Sequence, residues 1–502
     1  MPCHLITDCL YEVFEYLEED KATLYSCLLV NTVWCKISVR TLWRNIWSYK
    51  YTFFVLKQYD LELSILKTLV SCLPDESKDF LHDNGIFIPS PDRNSPMFNY
   101  VEFCQVLSIH EVDMIIYTVS INQNSPITGS SYNEYLITLE LFKMFMNKIP
   151  SLKELIYTPS QHKMVFDVSK VIFTYFTGAT NCLKDLRVFR CNSYVCSEFF
   201  YQLSRICHNV QFLDIELGSE ISNGLIDFVS VQQNLKYLKL KNYTMDSDWS
   251  ALIPSLLKHT RTLTKFNLCG EGYLPMSFIA SFETLKELVF RCSSDGGKVD
   301  SIGDFKVLQY VTFPQLTILK FFYGHPHKVF LMKFLENNGK NLEEFSVIEE
   351  DDSLKFIIAK YCPNLKKLFI IFEKDGLKGL KLIFESCQKL ESMKFWCSDR
   401  YHFLDKDEIL EIIVKYSPMN FHELQFYGIK YLNLLPEDLE SFFISWQNRV
   451  PQKLLSIIIL VDCNDKDICL EIEEENLEVI KRYMKMNVVR KLCIKDFDDE
   501  EE

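Results

Sequence analysis

From Leu152 onward the chain repeats one phrase: an apolar residue, two of any kind, a second apolar residue, one of any kind, a third apolar residue. The first copies are Leu152-Leu155-Tyr157, Leu183-Leu186-Val188, Val210-Leu213-Ile215 and Leu235-Leu238-Leu240. Leu263-Phe266-Leu268, Leu285-Leu288-Phe290, Leu316-Leu319-Phe321 and Leu342-Phe345-Val347 follow. Then come Leu365-Leu368-Ile370, Leu390-Met393-Phe395, Phe421-Leu424-Phe426, Leu454-Ile457-Ile459 and Val489-Leu492-Ile494. The last two apolar positions of each copy are two apart, so in a strand they point to one side and the residue between them to the other. Between copies the apolar spacing becomes helical, as in Leu354, Ile357, Ile358 and Tyr361, or Ile409, Ile412, Ile413 and Tyr416. Asp405 and Glu408 stand in capping-box register before the second of these. A strand and then a helix, recurring about every 28 residues, predicts an α/β parallel solenoid of about 13 units over residues 151–495.

The front of the chain has a different pattern. Leu10, Val13, Phe14 and Leu17 lie at i, i+3, i+4 and i+7, one face of a helix, with Thr7 or Asp8 placed to cap it. Leu24, Cys27 and Leu28 predict a second short helix, and Val30, Trp34 and Ile37 a third, closed by Leu42-Trp43. Three helices in some forty residues carry more apolar surface than so small a unit buries by itself. Between the two regions, residues 49–150 read as a mixed helical connector and N-terminal cap of the solenoid. Helices are expected over 51–73 and 134–148, and polar loops over 84–99 and 120–133.

The order Leu5-x-x-x-x-Leu10, Val13-Phe14-x-x-Leu17, Leu28-Leu29-Val30-Asn31-x-x-Trp34 and Leu42-Trp43 resembles the F-box, here residues 1–48. One position departs: the family usually begins Leu-Pro, and Leu5 is followed by Ile6. Proline there only pre-sets the first helical turn, so its loss weakens the helix start without removing the face. Cys362-Pro363-Asn364-Leu365 is similar to the cysteine-containing leucine-rich repeats often joined to F-boxes. The resemblance implies a short all-helical F-box followed by an irregular leucine-rich-repeat solenoid, with parallel strands on the concave face and helices on the convex one. It further implies a substrate receptor of an SCF-type ubiquitin ligase. Leu5, Leu10, Val13, Phe14, Leu17, Leu28, Val30, Trp34 and Trp43 would dock a Skp-type adaptor, itself linked to cullin and RING subunits. Two readings stand beside it: a repeat scaffold with no link to ubiquitin, and an N-terminal helical cap on a larger domain.

Charge and cysteine usage narrow the field. A net charge of −14 argues against nucleic acid or an anionic membrane surface as main partner. No run approaches a membrane span and Met1-Pro2-Cys3-His4 does not open a signal peptide. A soluble intracellular protein, cytoplasmic or nuclear, is expected. No two of the 18 cysteines are three apart, so there is no C-x-x-C motif. Cys182, Cys191, Cys207, Cys269, Cys292, Cys362 and Cys387 recur beside the phrase and read as buried thiols.

The sequence asks for no cofactor, metal or catalytic group. His325-Pro326-His327 reads as a loop, Cys207-His208 as a repeat cysteine beside a surface histidine, and Gly296-Gly297 as a turn. Interest moves instead to residues between and beside the strand anchors, which would face an unidentified protein target. Arg187, Phe212, Tyr237, Lys239, Lys265, Lys320, Lys367, Phe369 and Lys394 stand out there, basic and aromatic in an acidic chain. Residues 496–502, Asp-Phe-Asp-Asp-Glu-Glu-Glu, read as a disordered acidic tail.

Overall fold

The computed structural model describes residues 7–51, 58–86, 96–121, 131–158, 171–243, 249–270, 276–292, 302, 304–348, 352–371, 377–396, 406–450, 453–461 and 473–496. The chain forms two compact units, 1–241 with 247–259, and 242–246 with 260–502.

Unit 1 opens with three helices, α1 (Thr7–Glu15), α2 (Lys21–Cys27) and α3 (Thr32–Leu42). Asp20 caps α2 by accepting from the Thr23 amide at 3.0 Å. Asn31 caps α3 by accepting from the amides of Val33 and Trp34. These side chains satisfy amides that have no partner within the helix. Helices at Gln58–Ser71, Asp75–Asp83, Ile109–Ile121 and Ser131–Lys148 follow.

Among the described residues, the strands run in chain order: β1 (Val106–Ser108), β2 (Glu154–Tyr157), β3 (Val188–Asn192), β4 (Phe212–Leu217) and β5 (Tyr237–Asn242). The ladders from β1 to β4 are parallel. The ladder therefore begins with Cys104, Leu107 and Ile109, inside the stretch read as connector and cap. These three are buried and repeat the phrase of the later copies.

β3 corrects one register. The expected copy was Leu183-Leu186-Val188, but Phe189 pairs with Leu155 and Cys191 with Tyr157. The operative copy is Leu186-Phe189-Cys191, because Leu183 ends the preceding helix Ala179–Leu183. Both readings satisfy the phrase, and they differ by three residues. Strand pairing decides between them.

Unit 2 carries β6 (Lys265–Gly270), β7 (Glu287–Arg291), β8 (Ile318–Phe322), β9 (Glu344–Ser346), β10 (Lys367–Phe369), β11 (Ser392–Trp396), β12 (Glu423–Tyr427), β13 (Leu455–Val461) and β14 (Val489–Asp496), again in chain order and parallel. Helices such as Lys328–Asn338, Asp352–Tyr361, Leu377–Ser386 and Lys406–Tyr416 return the chain between strands and pack one on the next. Parallel strands need such crossovers, which place the helices in a layer of their own. The fold is thus mixed α/β, of leucine-rich-repeat type.

The cores lie between strands and helices. The anchors of the copies from Val210 to Phe426 are all buried. Two copies deviate. Leu455 takes the buried place expected of Leu454, and at β14 Ile494 is half exposed, on the last strand of the ladder. Phenylalanines fill the layer: in unit 1 Phe173 meets Phe199 at 5.1 Å, and in unit 2 Phe290 stacks on Phe321 at 5.3 Å with Phe305 edge-on to both. Buried amides tie turns together. Asn338 accepts from the Phe313 amide at 2.7 Å and donates to the carbonyls of Val311 and Phe334. Asp405 and residues 497–502 fall outside the described residues.

Candidate interaction surfaces

The front helices have an inner and an outer side. Inside, Phe14 and Leu10 are buried, with Leu24, Cys27 and Ile37. Trp43 stacks on Tyr100 at 4.6 Å, and the Trp47 indole donates to the Val106 carbonyl at 2.8 Å. Arg44 is ion-paired with Glu15. These contacts clamp α1 and α3 onto the strand ladder. Leu10, Phe14 and Trp43, singled out as docking residues, therefore face the chain itself: the i, i+4 spacing that puts residues on one helix face also lets them form that helix's own core.

Outside, the apolar surface stays open. Leu29 is 90% exposed, Val30 55%, Val13 49% and Val33 44%. Tyr16 and Tyr25 are also exposed, and Leu17, Leu28 and Trp34 are half-buried. Trp34 sits edge-on against Phe14 and is itself half-buried. The docking residues read from the sequence left out Leu29, Val33, Tyr16 and Tyr25, although Leu29 stands inside the quoted Leu28-Leu29-Val30-Asn31 motif. Leu5 lies outside the described residues.

The open strand face of unit 1 is internally paired. Arg190, not Arg187, stands in the ladder between Ile156 and Asp214. Its Nε donates to Glu154 at 2.8 Å, and its guanidinium reaches Asp214 at 3.5 Å. Lys241 holds the same Asp214 carboxylate at 3.0 Å. Phe212 and Tyr237 stack face to face at 4.3 Å, with Arg190 over the Phe212 ring. Two cations and two carboxylates neutralise one another across the strands. Arg187 is exposed just before β3, where its carbonyl accepts from the amides of Gln211 and Phe212. Lys239 is half-buried in β5.

The face of unit 2 differs. Lys265 pairs with Glu287 at 2.8 Å and Lys320 with Glu344 at 2.7 Å. Phe369 and Lys394, expected on the surface, are instead buried, at 4% and 8% exposure. The Lys394 ammonium lies over the Phe369 ring at 4.9 Å, and Trp396 stacks on the same ring at 6.2 Å. An ammonium over an aromatic face is held by the ring quadrupole and keeps part of its stabilisation out of water. Trp396 in turn meets Tyr427 at 4.6 Å. Ile458 and Leu460 lie buried beneath this aromatic group, with Tyr323 packed alongside. Beside it opens a cavity of about 300 Å³ lined by Lys320, Phe322, Glu344, Lys367, Phe369, Lys394 and Lys495, among others. Lys367 is exposed at its edge.

Cys207, Cys387 and His327 have structural partners. Cys207 Sγ donates to the Leu183 carbonyl at 2.9 Å, and Cys387 Sγ to the Cys362 carbonyl at 3.4 Å. Burial pushes the Cys104, Cys182 and Cys387 thiols up to about 12, and raises Cys207 and Cys362 as well. A thiol so placed is a poor nucleophile. His327 caps the helix Lys328–Asn338 by accepting from the Val329 amide. Among the described residues no group of three or more His, Cys, Asp or Glu side chains is placed to hold a metal ion. Among them, too, no helix is long and apolar enough to cross a membrane.

Comparison with known proteins gives distant likenesses. No family model matches the chain, and no curated protein sequence does. Among solved structures, the chain is similar to the yeast Rad7 and Elc1 complex, at 12% identity and a TM-score of 0.42, over 97% of this chain and 92% of that one. It is also similar to a leucine-rich-repeat protein of Leptospira interrogans, at 13% identity and a TM-score of 0.27, over 71% of this chain and 91% of that one.

Proposed function

We propose that this chain is the substrate-recognition subunit of an SCF-type ubiquitin ligase. Its front helices dock a Skp-type adaptor, and its strand faces hold a target protein. The observation that carries the reading is the open apolar side of α1–α3. Val13, Leu29, Val30 and Val33 stand exposed there, while Leu17, Leu28 and Trp34 are half-open, at or beside the positions that resemble the F-box. Exposed apolar surface of this extent on a small helical unit marks a protein contact. The chain itself supplies no bond chemistry in this reading. It raises the concentration of target lysines near a charged ubiquitin carrier, which is a proximity effect.

The test is co-expression of the full chain with a Skp-type adaptor, followed by size exclusion. A stable complex is expected, lost in the double variant Leu29→Asp, Val30→Asp. If the unmodified chain elutes without the adaptor, the ligase reading falls and a scaffold with no ubiquitin link takes its place.

A further inference from the structure

A second cavity of unit 2 lies inside the repeat core, between the strands and helices of its last copies, and measures about 100 Å³. Leu424 and Phe426 of β12 and Ile457 of β13 form its strand side. Phe442 and Phe443 of the helix Pro436–Gln447, with Ile480 of the helix Glu474–Lys485, form its helix side. All six are 5% exposed or less. Two further wall residues, Asn433 and Glu473, are exposed, so the cavity reaches the surface beside them. Protein interiors are close-packed, with few voids larger than a water molecule. Large apolar side chains that border such a void forgo dispersion contacts on that side, and an apolar guest restores them.

One polar group interrupts the apolar wall. Asn476 is 5% exposed, and its Nδ2 donates to the Leu434 carbonyl at 2.8 Å. That bond fixes the orientation of the amide, because a carbonyl accepts only from the nitrogen. It leaves Oδ1 as an acceptor with no hydrogen-bond partner among the described residues. A buried acceptor without a donor bears its full desolvation cost. A water molecule needs about two to four polar partners, and the buried side chains of the described wall offer this one. A fitting guest therefore carries a single donor on an apolar body. Aromatic rings pack edge-on or offset against other rings, and Phe426 on one side with Phe442 and Phe443 on the other suit an aromatic body. Apolar cavities of about 150 Å³ hold one benzene ring, so the space here, open at one end, limits the guest to a single ring. Glu473, Glu474 and Glu475 stand exposed where the helix of Asn476 begins, and their charge turns anions away.

We propose that this cavity is a binding site for a small neutral phenol, its ring among Phe426, Phe442 and Phe443 and its hydroxyl donating to the Asn476 Oδ1 after a small turn of that amide. The inference is independent of adaptor docking, which uses α1–α3.

The test titrates 4-fluorophenol into the full chain and follows the fluorine NMR signal. Saturable binding at one site is expected. 4-Fluoroanisole, in which a methyl group replaces the donated hydrogen, should bind about 10-fold more weakly, and 4-fluorobenzoate should not compete. Ile480→Phe and Leu439→Phe fill the cavity from two different helices, and each should abolish binding while circular dichroism shows the chain folded. No saturable binding to the unmodified chain overturns the site. Equal affinity for the anisole overturns the role of Asn476, and competition by the benzoate overturns the neutral chemistry. Undiminished binding by either folded variant overturns the location. The analogues are read on the unmodified chain, so they decide whatever the stability of the variants.

Discussion

Phe14 meets Trp34 edge to face, with ring centroids 5.4 Å apart and planes at 87°. Phe14 is buried while Trp34 stays partly at the surface, so this one contact joins the inner core of the front helices to their open side. The two sides should respond differently to substitution. Phe14→Ala deletes a buried ring and should cost about 3–5 kcal/mol, melting α1–α3 and with them adaptor capture. Leu29→Asp alters a side chain that is 90% exposed and should leave stability within about 0.5 kcal/mol while weakening capture. Circular dichroism in urea, beside co-purification, separates the two effects.

Arg190 and Arg187 offer a test of register. Arg190 contacts Glu154, Asp214 and the Phe212 ring, and Asp214 is only 3% exposed. Arg190→Ala should destabilise by about 1–2 kcal/mol, since it removes a cation–π contact and leaves a buried carboxylate with Lys241 alone. Arg187→Ala, exposed before the strand, should change stability by less than about 0.5 kcal/mol. Urea midpoints of the two variants decide; equal effects would place the strand three residues earlier.

Asp113 makes unit 1 sensitive to pH. Burial raises its carboxyl to about 7, with the Glu134 charge adding to the shift. A carboxyl raised in the folded state favours folding when protonated. Its contribution is therefore complete below about pH 4, the ordinary range of an aspartate, and is lost as pH rises toward 7. Asp113→Asn should match the unmodified chain near pH 4 and exceed it at pH 8, by on the order of 2–4 kcal/mol. Chemical denaturation at the two pH values measures this, and an equal effect at both would refute it.

The cysteines should react in a set order. Cys9 on α1 is exposed, whereas Cys104, Cys182 and Cys387 are buried with thiols pushed up to about 12. Alkylation at pH 8, read by mass spectrometry, should label Cys9 within minutes. The three buried thiols should be labelled only after unfolding, because thiolate and access are both needed.

What local pattern controls was readable from the chain alone. The two-residue alternation within each copy dictates a strand whichever partner it finds, so the anchors from Val210 to Phe426 are buried as their spacing requires. The front helices follow from apolar spacing in the same way, whereas the Asp20 and Asn31 caps came into view only in the structure. Sequence spacing carries no information about which strand position lies opposite which. Tertiary pairing alone put Arg190 where Arg187 was expected, and it opened the ladder at Val106. It also closed Lys394 and Trp396 over Phe369, which turned a surface aromatic into a buried one. Lys495 stands 101 residues after Lys394 in the chain, yet both line one cavity, because each parallel crossover returns the backbone to the same sheet. Periodicity is set by bonds between neighbours; side chains from distant copies come together only when the strands stack.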